Sequence, residues 1–144
     1  MMTMDPWHVF TANFGTMPKP STAFVTLLDI VVYGILAFNV SKARGKFEVK
    51  APSTTGPEKF DRIYRAHQNT LEQLVLHLPL LWIAAYAMDD VFAAAFGAVW
   101  LFGRILYARG YYRKAKSRSK GFFICLGVNA ILLACDAVSV LASL

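Results

Sequence analysis

The sequence predicts an all-α protein: an integral membrane bundle of four helices. Three observations carry that reading. The 144-residue chain is 56% hydrophobic, with a mean hydropathy of +0.43, and a small soluble domain needs a larger polar surface than that leaves. Four apolar stretches, about Thr22–Val40, Ile63–Met88, Val91–Tyr112 and Phe122–Leu144, each approach the ~20 residues that span a hydrocarbon core as a helix. No alternation of period two suggests a barrel, so helices remain as the way to satisfy the backbone in lipid. Residues 1–144 read as one domain.

The elements follow in order. The N-terminal MMTMDPWHVFTANFGTMPKP lacks the basic start and unbroken apolar core of a signal peptide. Trp7, Phe10 and Phe14 suit a membrane interface, or an ordinary ordered tail. Helix one carries Asp29 and Asn39. Loop one, Ala51–Phe60 (APSTTGPEKF), has the composition of irregular backbone. Helix two contains Pro79, where a kink is expected. The turn at Met88–Asp90 is tight, which makes helices two and three antiparallel neighbours. Loop three, Arg113–Gly121, is short and basic. Helix four holds Asp136, Cys125 and Cys135. The cysteines have no ligand spacing and read as packing residues, so no metal site is implied.

The net charge of +6 is unevenly placed. Lys42, Arg44, Lys46, Lys50, Lys59, Arg62 and Arg65 surround loop one. Arg109, Arg113, Lys114, Lys116, Arg118 and Lys120 surround loop three. The second loop has Asp89 and Asp90, and the N-terminal tail has Lys19 alone. This is the distribution of a multi-pass protein with loops one and three in the cytoplasm and both termini outside. It argues against nucleic acid as a partner.

The stretch Phe60–Trp82, FDRIYRAHQNTLEQLVLHLPLLW, loads polar groups onto the start of a membrane helix. At about 100° per residue, Arg65, Asn69 and Glu72 share one stripe, and Arg104, Tyr107 and Tyr111 share another. Across a tight antiparallel turn, Arg65 matches Tyr111 in depth, Asn69 matches Tyr107 and Glu72 matches Arg104. A charge at the bilayer centre costs about 2.5–3.5 kcal/mol even on lenient scales. The two stripes are therefore expected to face each other. Polar pairs also act as weak glue between helices, but the six groups opening toward a basic loop favour a polar ligand cavity. His67 lies about 200° from Arg65, on the opposite side of helix two, where packing is the ordinary role. Arginines suit carboxylates, and Glu72 suits an ammonium group. A zwitterion with extra carboxylates fits better than a nucleotide, since no glycine-rich phosphate loop is present.

The run Arg62–Glu72, RIYRAHQNTLE, the preceding TTGPEKFDR, and Leu101–Arg118, LFGRILYARGYYRKAKSR, carry a resemblance. They resemble the membrane-associated eicosanoid and glutathione metabolism (MAPEG) proteins, specifically the microsomal glutathione transferase and leukotriene C synthase branch. The resemblance spans roughly Ala43–Arg118 and the four-helix layout. It implies a homotrimer that binds glutathione between subunits, near the cytoplasmic side. On it, Arg65, Asn69, Glu72, Arg104, Tyr107 and Tyr111 match glutathione-site positions of one subunit, while Arg44 and His67 match positions reaching in from the neighbour. Arg118 matches the arginine that activates the thiol, although by sequence alone it reads as one solvated charge among several. Tyr107 is a second candidate for holding the thiolate. Gln73 and Gly45 depart from the synthase pattern, which has tyrosine and arginine there. Leukotriene specificity is therefore not implied.

The resemblance implies a membrane glutathione S-transferase of the endoplasmic reticulum or a bacterial inner membrane. It would conjugate glutathione to lipophilic electrophiles arriving from the membrane lipid, with lipid hydroperoxide reduction as a companion activity. Two rivals remain at this stage. One is a non-catalytic protein like the family's lipoxygenase-activating member. The other is a small multidrug transporter built on Asp29. Asp136 and His77 have no assigned role.

Overall fold

The computed structural model describes residues 17–144. Trp7, Phe10 and Phe14 lie outside the described residues. The described chain forms four α-helices: α1 (Pro20–Phe47), α2 (Glu58–Ala87), α3 (Asp90–Arg113) and α4 (Ser119–Ser143). A single 3-10 turn, Ala115–Arg118, runs directly into α4. All four helical segments are long and apolar enough to cross a membrane.

The helices outrun the apolar stretches at the basic end. α1 continues seven residues past Val40, and α2 starts five residues before Ile63. Hydropathy follows side-chain polarity, whereas backbone hydrogen bonding continues through the polar segments SKARGKF and EKFDR. α1, at 28 residues, is about 42 Å long, against roughly 30 Å of hydrocarbon. α2 runs unbroken through Pro79, because neighbouring helices tolerate the carbonyl that proline frees. Loop three is shorter than expected, since the 3-10 turn occupies most of it.

Side-chain caps organise the end opposite the basic loops. The Asp89 carboxylate accepts the N–H groups of Val91 and Phe92, both at 2.9 Å, and so starts α3. Asp90 reaches across to accept the N–H groups of Ser21 and Thr22 at 2.9 and 3.0 Å, which starts α1. The two adjacent aspartates thus bind the head of α1 to the α2–α3 turn. At the other end, Glu48 closes α1 in the left-handed region at φ 56°.

α3 is the hub, packed against α1, α2 and α4. The core gathers Leu74, Leu81, Ala84, Ala93, Trp100, Cys125, Val128 and Leu132. Cys125 packs there as expected, while Cys135 is half-buried. The outer surface is greasy, with Phe24, Leu27, Ile35, Val75, Phe102, Phe123 and Leu133 all exposed, as a lipid-facing surface allows. α4 crosses α3 at backbone contact. A Cβ on Gly121 would collide with the backbone of Gly103 and Tyr107. Small residues at such crossings let membrane helices approach closely. This crossing fixes where α4 begins, and therefore where Arg118 stands.

Candidate functional site

The seam between α2 and α3 is built from Ala66, Thr70, Leu74, His77, Leu81 and Ala84, all buried. Their spacing of three and four keeps them on one face of α2. Asn69 sits at the edge of that face, and its amide Nδ2 donates to the Tyr107 hydroxyl at 2.6 Å. This is the middle rung that the sequence predicted. Because the Tyr107 oxygen accepts from Asn69, its own O–H remains free to donate elsewhere.

Arg104 is 1% exposed. Its Nη2 donates to Thr70 Oγ1 at 2.7 Å, and Thr70 Oγ1 donates onward to the Ala66 carbonyl at 2.7 Å. The guanidinium lies 4.2 Å from the centre of the Tyr107 ring and 5.7 Å from that of Trp100. Arg104 therefore packs on the Tyr107 ring, and its Nε is buried without a hydrogen-bond partner among the described residues. The Tyr107 and Tyr111 rings are 5.7 Å apart. Arg118 places its guanidinium 4.7 Å from the centre of the Tyr111 ring, a cation–π arrangement. Asn69, Tyr107 and Arg118, together with Ser119, Phe122 and Phe123, line a cavity of 240 Å³.

The outer two rungs do not close within the chain. Arg104 pairs with Thr70, and Glu72 is exposed. Arg65 is also exposed, and Tyr111 carries Arg118 on its ring instead. The depth matching holds, but the angle does not. The seam is centred about 140° from Arg65, which leaves Glu72 about 160° from it. The stripe Arg65–Asn69–Glu72 is turned away from the seam, and Asn69, its member nearest the seam, is the one that reaches across. Glu72 shares its exposed side with Val75, Leu76, Pro79 and Ile83.

Arg44 and His67 stand apart from the cavity. Arg44 Nη1 donates to the Ser53 carbonyl at 2.8 Å and braces loop one. Its guanidinium lies 5.5 Å from the Phe60 ring centre. His67 stacks on Tyr33 of α1, with centroids 4.8 Å apart and planes at 18°. That is the packing role expected of it on its own chain.

Thr70, Ser119, Phe122 and Phe123 escape the sequence reading. The small and apolar spacing from Ala66 to Ala84 was the available signal for Thr70, because it locates the seam. Nothing in the sequence signals which side of α4 closes the cavity. A second polar cluster lies deeper in the core. His77 Nδ1 is 2.9 Å from Asn129 Oδ1, and Nε2 is 4.0 Å from Asp29 Oδ2. The His77 ring stacks on Trp100 at 4.1 Å. Asp29 thus faces His77 inside the bundle without a hydrogen bond between them.

The MAPEG family profile matches residues 22–137, a range that includes both polar segments. The chain belongs to the MAPEG family. The Synechocystis sp. protein sll1147 is 46% identical over 119 residues, 83% of this chain and 87% of that one. Human microsomal glutathione S-transferase 2 is 37% identical over 118 residues, 82% of this chain and 80% of the relative. Bovine leukotriene C4 synthase is 38% identical over 120 residues, covering 83% and 80%. The matched region of this MAPEG protein contains the seam, the 3-10 turn and the Gly121 crossing.

Proposed function

We propose that this MAPEG protein is a membrane-bound glutathione S-transferase acting on lipophilic electrophiles. The observation that carries the reading is the convergence of Asn69, Tyr107 and Arg118 on one cavity, in a chain related to microsomal glutathione S-transferase 2. A free thiol titrates near pH ~8.5, and the thiolate is the nucleophile. The Arg118 guanidinium supplies a positive charge beside the sulfur. The Tyr107 O–H, left free by Asn69, donates a hydrogen bond to it. The sulfur then attacks the electrophilic carbon, the leaving group departs with the bonding pair, and the thiol proton goes to solvent. Lipid hydroperoxide reduction uses the same thiolate and consumes two glutathiones, giving the disulfide, the alcohol and water.

The working unit is a homotrimer. Support comes from Glu72, a carboxylate about 21 Å along α2 from its start that is exposed on the single chain. Lipid contact there is costly, so another subunit covers it. Glutathione then lies along this covered face. Arg65 grips a carboxylate, Glu72 meets the ammonium group, and the neighbour's copies of Arg44 and His67 close the site. The transporter reading loses support because Asp29 is 1% exposed and faces His77. The lipoxygenase-activating reading lacks a use for the Arg118 cavity. The test is conjugation of glutathione to a generic aryl halide by detergent-purified protein, with glutathione titrated. Saturable turnover supports the reading. Glutathione binding without turnover points to the non-catalytic rival.

A further inference from the structure

We propose that the outer crevice between α3 and α4 binds an anionic phospholipid of the leaflet at the basic end. Two cavities are lined by these helices, one toward the basic end and one deeper along them. The first, 590 Å³, is ringed by Arg109, Arg113, Lys116 and Lys120, with the Ser117 and Ser119 hydroxyls between them. No carboxylate lines it. The second, 430 Å³, is lined by apolar side chains, among them Val99, Phe123, Val128 and Ile131, around Gly127. Leu106 of the first follows Val99 of the second by two turns on α3, and Lys120 precedes Ile124 by one turn on α4. The two cavities therefore share one stripe on each helix.

The dimensions and charge choose the occupant. From Lys120 to Ile131 the crevice runs about 16 Å, roughly half of a ~30 Å hydrocarbon core. That is the depth of one leaflet, so an acyl chain fills the apolar part while its headgroup stays at the mouth. Four cations without a counterion repel one another, and an anionic headgroup relieves that repulsion. The charge bias assigns this end to the cytoplasmic side, where anionic lipids gather and basic pockets between helices hold their headgroups. The crevice lies on the far side of the first turn of α4 from the Arg118 cavity. Ser119 borders both that cavity and the basic mouth, and Phe123 borders both that cavity and the apolar trough.

The test is thermal unfolding and native mass spectrometry of the detergent-purified protein. It is titrated with phosphatidylglycerol, with phosphatidylcholine of the same acyl chains, and with inorganic phosphate. The expected result is a raised melting midpoint and a retained lipid mass with phosphatidylglycerol alone. Arg113→Gln, Lys116→Gln and Lys120→Gln together should weaken binding about fivefold per cation removed. Gly127→Leu should fill the trough and weaken binding as well, since a Cβ there meets nothing within 4 Å. Equal effects of the two lipids, an equal effect of free phosphate, or undiminished binding by both variants would each overturn the proposal.

Discussion

Asn69 on α2 donates a hydrogen bond to the Tyr107 hydroxyl on α3 at 2.6 Å, while the Arg104 guanidinium lies 4.2 Å from the centre of the Tyr107 ring. A phenol whose oxygen accepts from Asn69 and whose ring packs on a guanidinium keeps its own O–H to donate. Four consequences of this arrangement, and one of the deeper core, can be measured.

Tyr107→Phe removes the free donor and keeps the ring. Conjugation should fall about tenfold, equivalent to roughly one pKa unit or 1.36 kcal/mol in thiolate stabilisation. Glutathione affinity at low pH, where the protonated thiol is bound, should change little, and the loss should appear as pH rises. Asn69→Leu should give a smaller loss, because it releases the hydroxyl without removing it. An Asn69 variant that is more damaged than Tyr107→Phe would reverse these roles.

Arg118→Ala should lower turnover more than tenfold while glutathione still binds. The pH dependence carries a definite sign. A thiol whose pKa is depressed in the complex gains affinity as pH rises from the bound toward the free value near ~8.5, and the gain levels off above it. In Arg118→Ala that sloping window should narrow from its low-pH edge, and the gain in affinity across it should shrink. Thiolate absorbance on adding glutathione reads this directly, and an unchanged window would remove Arg118 from the mechanism.

Thr70→Val keeps the shape of the seam and strips Arg104 of its hydrogen-bond partner. A buried charged group that loses its partner costs roughly 1.5–3 kcal/mol. The unfolding midpoint should drop, and turnover should drop with it as Tyr107 loses its support. Thr70→Ser should recover most of both. A neutral Thr70→Val would show that Arg104 is held by its aromatic contacts alone.

Gly121→Ala places a methyl group against the backbone of Gly103 and Tyr107. Overpacking of this kind costs about 1–3 kcal/mol, and it pushes the head of α4, with Arg118, away from α3. Activity should fall further than stability. Gly34→Ala is the control, because a Cβ there meets nothing within 4 Å. Equal behaviour of the two variants would argue against the α3–α4 crossing as the determinant of Arg118 placement.

Asp29 and His77 are buried, with 4.0 Å between carboxylate and imidazole. In a double-mutant cycle with Asp29→Leu and His77→Leu, the coupling should be about 0.5–3 kcal/mol. Each single replacement leaves the other group without its counterpart. Additive losses would mean the two are neighbours without interaction.

Much of the protein was legible along the chain. The spans, the antiparallel α2–α3 pair and the depth match between Asn69 and Tyr107 follow from hydropathy, from the short turn and from helical rise. The partner of Arg104 was not legible. Its rise along the helix brings it level with both Thr70 and Glu72, and only the rotation of α2 selects between them. That rotation is set by which side chains interlock at the seam.

The sequence by itself determined the class of this protein, its helices, its family and the depth of each polar group, because lipid penalises polarity in proportion to depth and the helix repeats at a constant rise. Tertiary structure alone decided azimuth. It turned Glu72 and Arg65 outward, closed Asn69 on Tyr107, and brought Arg118 over Tyr111 by seating Gly121 against the backbone of α3. Packing between helices is a contest of shapes summed over many side chains, and no local stretch records its outcome.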